Sequence, residues 1–261
     1  MAWLAGLLAA GILSAIVIPV AGGSLTSGGG VVGSTVIQNV ALLGAAVGFA
    51  WMTARPWPQD FGLRTTRLWP AVGWAAASVV GFLVVTLLLS LALGVEESPT
   101  GQMLDDLGVG GGAVAFVAVA LLICVVAPVF EELFYRGFFF TALRSSMNVW
   151  WAAILGGLAF GSLHVLNFLA GTPIEAAIAS VVSLAVFGFL LCVVYWRTGS
   201  LYPCIAAHAV NNTIAFAVGA ELAVLEGIAV AAGTAVVLTA VLLALRPLGR
   251  RRSAPTTASA A

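Results

Sequence analysis

Apolar residues run along this chain in long unbroken blocks, not at the two-residue or 3.6-residue spacing of half-buried strands and amphipathic helices. A helix needs about 20 apolar residues to cross the hydrocarbon core of a bilayer. Eight blocks meet that length, at about 2–21, 36–54, 70–93, 112–142, 149–169, 174–196, 201–219 and 223–245. The pattern predicts an all-α fold, a polytopic transmembrane helical bundle of about eight spans around an intramembrane polar cavity. The first block lacks the basic leader of a signal peptide and exceeds the ~7–15 apolar residues of one, so it reads as a retained span. The fourth is too long for a simple span, and Pro128 is expected to kink or divide it, its last part lying along the interface. The Gly-rich stretch Gly22–Gly33 reads as an outer loop.

Charge gives the blocks an orientation. Arg55, Arg64, Arg67, Arg144, Arg197, Arg246, Arg250, Arg251 and Arg252 all fall on one side of this topology. Glu96, Glu97, Asp105, Asp106, Glu175, Glu221 and Glu226 fall on the other. Basic residues favour the cytoplasmic face, so the protein is expected in the cell membrane with both termini in the cytoplasm. Trp3, Trp51, Trp57, Trp69, Trp74, Trp150, Trp151 and Trp196 cluster at the same ends, as interfacial anchors do. The chain divides into N-terminal spans and loops (1–110), a core (111–220), a final span (221–250) and a disordered cytoplasmic tail (251–261). Membrane lipid is thus one expected partner.

Composition supports lipid as the solvent. Apolar residues make up 62% of the 261 and charged residues 8%, against roughly 25% in soluble domains. Net charge is zero and no basic face exists, which excludes a nucleic-acid partner. Cys124, Cys192 and Cys204 lie in apolar runs at no zinc or disulfide spacing, and read as small buried hydrophobes. The Gly108–Gly112 run lacks the lysine of a phosphate loop. Oligomeric state leaves no mark in the sequence.

A few polar residues remain inside the blocks. Glu131, Glu132 and Arg136 stand within six positions, and the chain's two histidines, His164 and His208, each lie in a span. An ionised group at mid-helix costs about 2.5–3.5 kcal/mol on insertion scales. Residues four apart share a helix face. Glu132 with Arg136, Phe160 with His164, and His208 with Asn212 are such pairs, on three helices. Hydrocarbon offers polar groups no partners, so all three faces should turn inward to one cavity. Depths counted along upright helices do not agree; tilt, or an interfacial end to the fourth block, would reconcile them. A carboxylate and an imidazole in such a cavity can share and deprotonate a water, while a second imidazole and an amide donate to an oxyanion. No serine or cysteine nucleophile is evident beside a base.

At these residues the chain resembles the CAAX-protease and bacteriocin-processing family of intramembrane proteases, which includes the Ras-converting CAAX endopeptidase. The family pattern reads here as Glu131-Glu132-x-x-x-Arg136, Phe160-x-x-x-His164 and His208-x-x-x-Asn212, in order, over about 113–218. Phe61-Gly-Leu-Arg64 also looks like a phrase of the family. The resemblance implies an intramembrane endopeptidase acting on a peptide or membrane-protein substrate. It implies Glu131 as the water-activating carboxylate with His164 assisting, and His208 with Asn212 at the oxyanion. Glu132 and Arg136 then take structural or secondary roles, and Phe160 contacts substrate. No metal or other cofactor is expected. Were zinc present, Glu131, His164 and His208 would be its ligands.

Other readings of the same residues stay open. Intramembrane Glu, His and Arg also suit a proton-coupled transporter, and an intact motif suits a catalytically silent scaffold or immunity protein. A buried Glu–Arg pair can simply lock helices together. Asn211 reads as packing, Gly157 and Gly161 as a small-residue helix contact, and Phe138–Phe140 as lipid-facing or interfacial.

Overall fold

The helices follow the apolar blocks with one addition. The computed structural model describes residues 2–22, 28–53, 58–95, 99–165 and 173–246. The helices are α1 (Ala2–Val20), α2 (Gly28–Thr53), α3 (Leu68–Leu93), α4 (Pro99–Asp106), α5 (Ala113–Arg144), α6 (Val149–Ser162), α7 (Ile174–Thr198), α8 (Tyr202–Gly219) and α9 (Val224–Leu245). The expectations for Arg55, Trp57, Glu96, Glu97, residues 166–169, Arg250–Arg252 and the tail lie outside the described residues.

The chain is a polytopic helical bundle. Among the described residues, Val32–Thr53, α3, α5, α7 and α9 are long and apolar enough to cross a bilayer, while Leu8–Val20 and α6 are shorter apolar helices. Large side chains such as Leu91, Val114, Leu225 and Val236 face outward. An outward surface of that kind is stable only against lipid. The helix α8, expected as a full span, does not reach the same hydropathy, because it carries His208, Asn211, Asn212 and Thr213. Most of its polar face is buried against protein instead, the helix packing on α3, α4, α5 and α9.

Local chemistry sets the boundaries. Asn148 caps α6 by accepting from the amides of Trp150 and Trp151, both at 3.1 Å. Gly199 closes α7 in the left-handed conformation, its N–H donating to Tyr195 O. Two expectations need correction. The helix α2 begins at Gly28, so Gly28–Gly33 are helical and not loop. Helix formation satisfies their backbone groups internally, which outweighs glycine's entropy cost where water is scarce. The short helix α4 was not foreseen. It has only eight residues, and it is held by burial of Leu104 beside Leu107 and Phe216 against the end of α8.

The central element is α5, which touches α2, α6, α7, α8 and α9. Pro128 does not divide it. The turn Leu122–Val126 just before the proline is π-helical, and Ala127 N–H donates to Leu122 O. A second π-helical stretch covers Leu133–Phe140. The aromatic run in that stretch is not free on the surface. Phe140 is buried against Tyr195, and Phe138 meets Phe49 of α2 edge-on at 6.3 Å.

Close approach of α6 to α7 is made by glycines. A Cβ on Gly161 would lie 2.8 Å from Ala185 N, and one on Gly188 would lie 2.9 Å from Gly157 Cα. Small residues let helix backbones approach this closely in membranes. On α3, Gly73 has open space around it. Gly161→Ala is therefore expected to lower the thermal unfolding temperature in detergent, at an overpacking cost of about 1–3 kcal/mol. Gly73→Ala should be neutral or slightly stabilising by the same measurement.

Candidate active site

The start of α8 is held by the loop before α3. Leu201 N donates to Gly62 O at 2.9 Å, Ser200 Oγ to Arg64 O at 2.5 Å, and Arg64 Nε to Gly199 O at 2.5 Å. Gly62 has φ of +84°, and a Cβ there would strike the Tyr195 ring, so only glycine suits this turn. The loop thereby sets the height of α8. His208, on the inward face of the helix's second turn, is placed by it.

From α5, Glu132 and Arg136 form an ion pair one turn apart, Oε1 to Nη1 at 2.7 Å, with both side chains fully buried. The same Glu132 oxygen lies 2.8 Å from His208 Nδ1. A carboxylate paired with guanidinium only accepts, so Nδ1 is the protonated ring nitrogen. That leaves Nε2 of His208 as the free nitrogen, and it lies 3.9 Å from Oε2 of Glu131. Glu131 retains 26% side-chain exposure against 0% for Glu132. Of the two adjacent carboxylates, Glu131 is therefore the reachable one. Glu132 Oε2 and Arg136 Nε are buried without a hydrogen-bond partner.

Aromatic rings fill the space around these groups. Phe160 of α6 meets His208 edge-on at 5.5 Å, His164 at 5.8 Å and Tyr135 at 5.1 Å. The Arg136 guanidinium sits over its face at 4.7 Å. Phe187 of α7 meets His208 from another side at 5.7 Å. Arg136 also donates from Nη2 to Gly188 O on α7 at 3.1 Å. Thus α5, α6, α7 and α8 all contribute.

The three polar faces meet, with a different division of contacts from the one expected. The imidazole in ion-pair range of both glutamates is His208. His164 follows the end of α6, its Nδ1 3.3 Å from Phe160 O, and reaches the cluster through the Phe160 ring. Phe160 is 2% exposed, its ring packed against both imidazoles. Asn212 points to α5, donating from Nδ2 to Ile123 O at 2.9 Å. Asn211 is buried in the packing of α8. Ile123 and Gly188 act through backbone carbonyls, which leave no side-chain signal in a sequence. Phe187 had no distinguishing signal either, being one apolar residue among many in α7.

Among the described residues, no three His, Cys, Asp or Glu side chains stand close enough to hold one metal ion. Glu131, His164 and His208, the residues that would hold zinc, do not form such a group.

Breaking one partner of a buried ion pair strands the other charge, at about 3–5 kcal/mol. Arg136→Met and Glu132→Leu are each expected to lower thermal stability by that order. The double variant should lose less than the sum of the two, read from unfolding curves as a double-mutant cycle.

Residues 113–214 match the family model Rce1-like, described as type II CAAX prenyl endopeptidase Rce1-like. The match runs from the start of α5 into α8 and contains every residue of the cluster. No curated protein and no solved structure matches the chain.

Proposed function

We propose, from the premise that residues 113–214 form a domain of the Rce1-like CAAX endopeptidase family, that this protein is an intramembrane endopeptidase in which Glu131 and His208 activate a water. The family is one of membrane proteases, and the chain is a multi-pass membrane protein. The observation that carries the finer reading is the 3.9 Å separation of His208 Nε2 and Glu131 Oε2. That gap is too long for a direct hydrogen bond. A water at about 2.8 Å from both atoms would subtend an angle of roughly 90° between them, which a water molecule accepts.

The reaction then runs on this chain's own groups. Glu131 takes a proton from the shared water as its oxygen bonds to the scissile carbonyl carbon. His208 orients that water, and its own orientation is set by Glu132, which is held by Arg136. The carbonyl oxygen becomes an oxyanion. An imidazole N–H, with His164 the candidate beyond Phe160, donates to that charge. Collapse breaks the C–N bond, and the proton held by Glu131 passes to the departing amine. No covalent enzyme intermediate and no metal takes part. The substrate is a peptide bond of a membrane-associated peptide or protein, brought to Glu131 because that carboxylate is the exposed one.

Purified Glu131→Ala and His208→Asn are expected to lose cleavage of a membrane-peptide substrate by about 10²–10⁴-fold while unfolding like wild type. Full turnover in both folded variants would overturn the proposal. Wild-type activity should also be unchanged by a strong chelator, with no metal found by elemental analysis; loss of turnover on chelation, restored by zinc, would replace the metal-free mechanism.

A further inference from the structure

Asn212 stands one turn after His208, on the same face of α8, so it is natural to aim it at substrate. Its amide is already in use. Nδ2 donates to the carbonyl of Ile123 at 2.9 Å, a bond joining residues 89 positions apart.

The reason that carbonyl needs a side chain lies in α5. In an α-helix the Ile123 oxygen would accept from Ala127 N–H. The π-helical turn Leu122–Val126 shifts that donor, and Ala127 N–H goes to Leu122 O. In π-helical register the next partner for Ile123 O is residue 128. Residue 128 is proline, which has no N–H. The π turn and the proline together leave Ile123 O without a backbone donor. An unpaired carbonyl inside a membrane protein is costly, and nothing but protein can satisfy it there.

We infer that Asn212 is a positioning residue, supplying the donor that Pro128 lacks and so locking the α5 backbone two turns before Glu131 to the α8 helix that carries His208. The bond is the second rung between these helices. The first is His208 Nδ1 to Glu132 Oε1 at 2.8 Å. Two rungs fix both the separation and the rotation of α8 against α5. Rotation is what decides whether Nε2 of His208 reaches Glu131. Without the second rung, the rotation of α8 against α5 near Glu131 rests on the Glu132 contact and on packing alone.

The role implies a specific rescue. Replacing Pro128 by alanine returns an N–H to the chain beside Ile123 O, whether α5 keeps its π turn or relaxes to α-helical register. In either case the carbonyl is paired and Asn212 becomes less necessary. A group that donates to an oxyanion has no such dependence on residue 128.

The test uses the full-length protein with Asn212→Ala, Pro128→Ala and the double variant. Thermal unfolding in detergent is followed alongside kcat and KM on a membrane-peptide substrate. Asn212→Ala is expected to lower the unfolding temperature and to cut kcat at least tenfold, with KM within about twofold. The double variant should recover most of the stability and at least tenfold of the lost kcat. If Asn212→Ala does not accumulate as folded protein, recovery of folded protein in the double variant supports the inference, and no recovery overturns it. An Asn212→Ala protein as stable as wild type, with kcat equally low in the double variant, would overturn it and return Asn212 to the oxyanion. The activity arm rests on the peptidase reading. The stability arm does not, so a protein that cuts no peptide still decides the inference by its unfolding curves.

Discussion

One oxygen atom organises this site. Glu132 Oε1 accepts from Arg136 at 2.7 Å and from His208 at 2.8 Å, with all three side chains withdrawn from solvent. A guanidinium in such surroundings needs acceptors, and a carboxylate needs donors. Satisfying both inside one helix leaves capacity on the carboxylate, and His208 takes it. Net stability from such a cluster is small compared with well-packed hydrophobes, because desolvation offsets much of the attraction. What the cluster supplies is direction. It decides which ring nitrogen of His208 carries the proton and which faces Glu131. Two neighbouring glutamates thereby acquire different characters, one fully buried as an anchor and one partly exposed.

The packing around the cluster exists to permit this arrangement. Arg136 reaches α7 only because Gly188 offers its carbonyl at a tight helix crossing, where a Cβ would collide with Phe160. Phe160 in turn is wedged between Arg136, Tyr135 and both imidazoles. Aromatic edges and faces tolerate a cation and imidazoles at close range without offering hydrogen bonds that would divert them. The loop around Gly62 and Arg64 completes the support from outside by fixing the first turn of α8.

Irregularity in α5 has a part as well. The helix carries two π-helical stretches, one before and one after the glutamates. Each changes which side chains share a face, since a π turn rotates everything beyond it. Counting depth along straight helices therefore set Glu131 and His208 at heights that did not match, and yet they meet. The mismatch came from treating the helices as upright and regular. The widened turns of α5 change the rise per residue on which that count depends.

The apolar blocks alone determined that the chain is a helical membrane bundle, because unbroken runs of about 20 apolar residues fit a membrane-crossing helix and lack the alternation of a barrel strand. They also located Glu131, Glu132, Arg136, His164, His208 and Asn212, since ionisable and amide groups stand out against such a background. Helix periodicity paired Glu132 with Arg136 correctly, a contact four residues apart on one helix. Contacts between helices were beyond its reach. That His208 and not His164 approaches Glu131, that Phe160 is buried, and that Asn212 serves a backbone carbonyl all depend on rotation and crossing of separate helices. Those are set by glycine contacts, a π turn and one proline acting together across many intervening residues, and periodicity within a single helix carries no information about them.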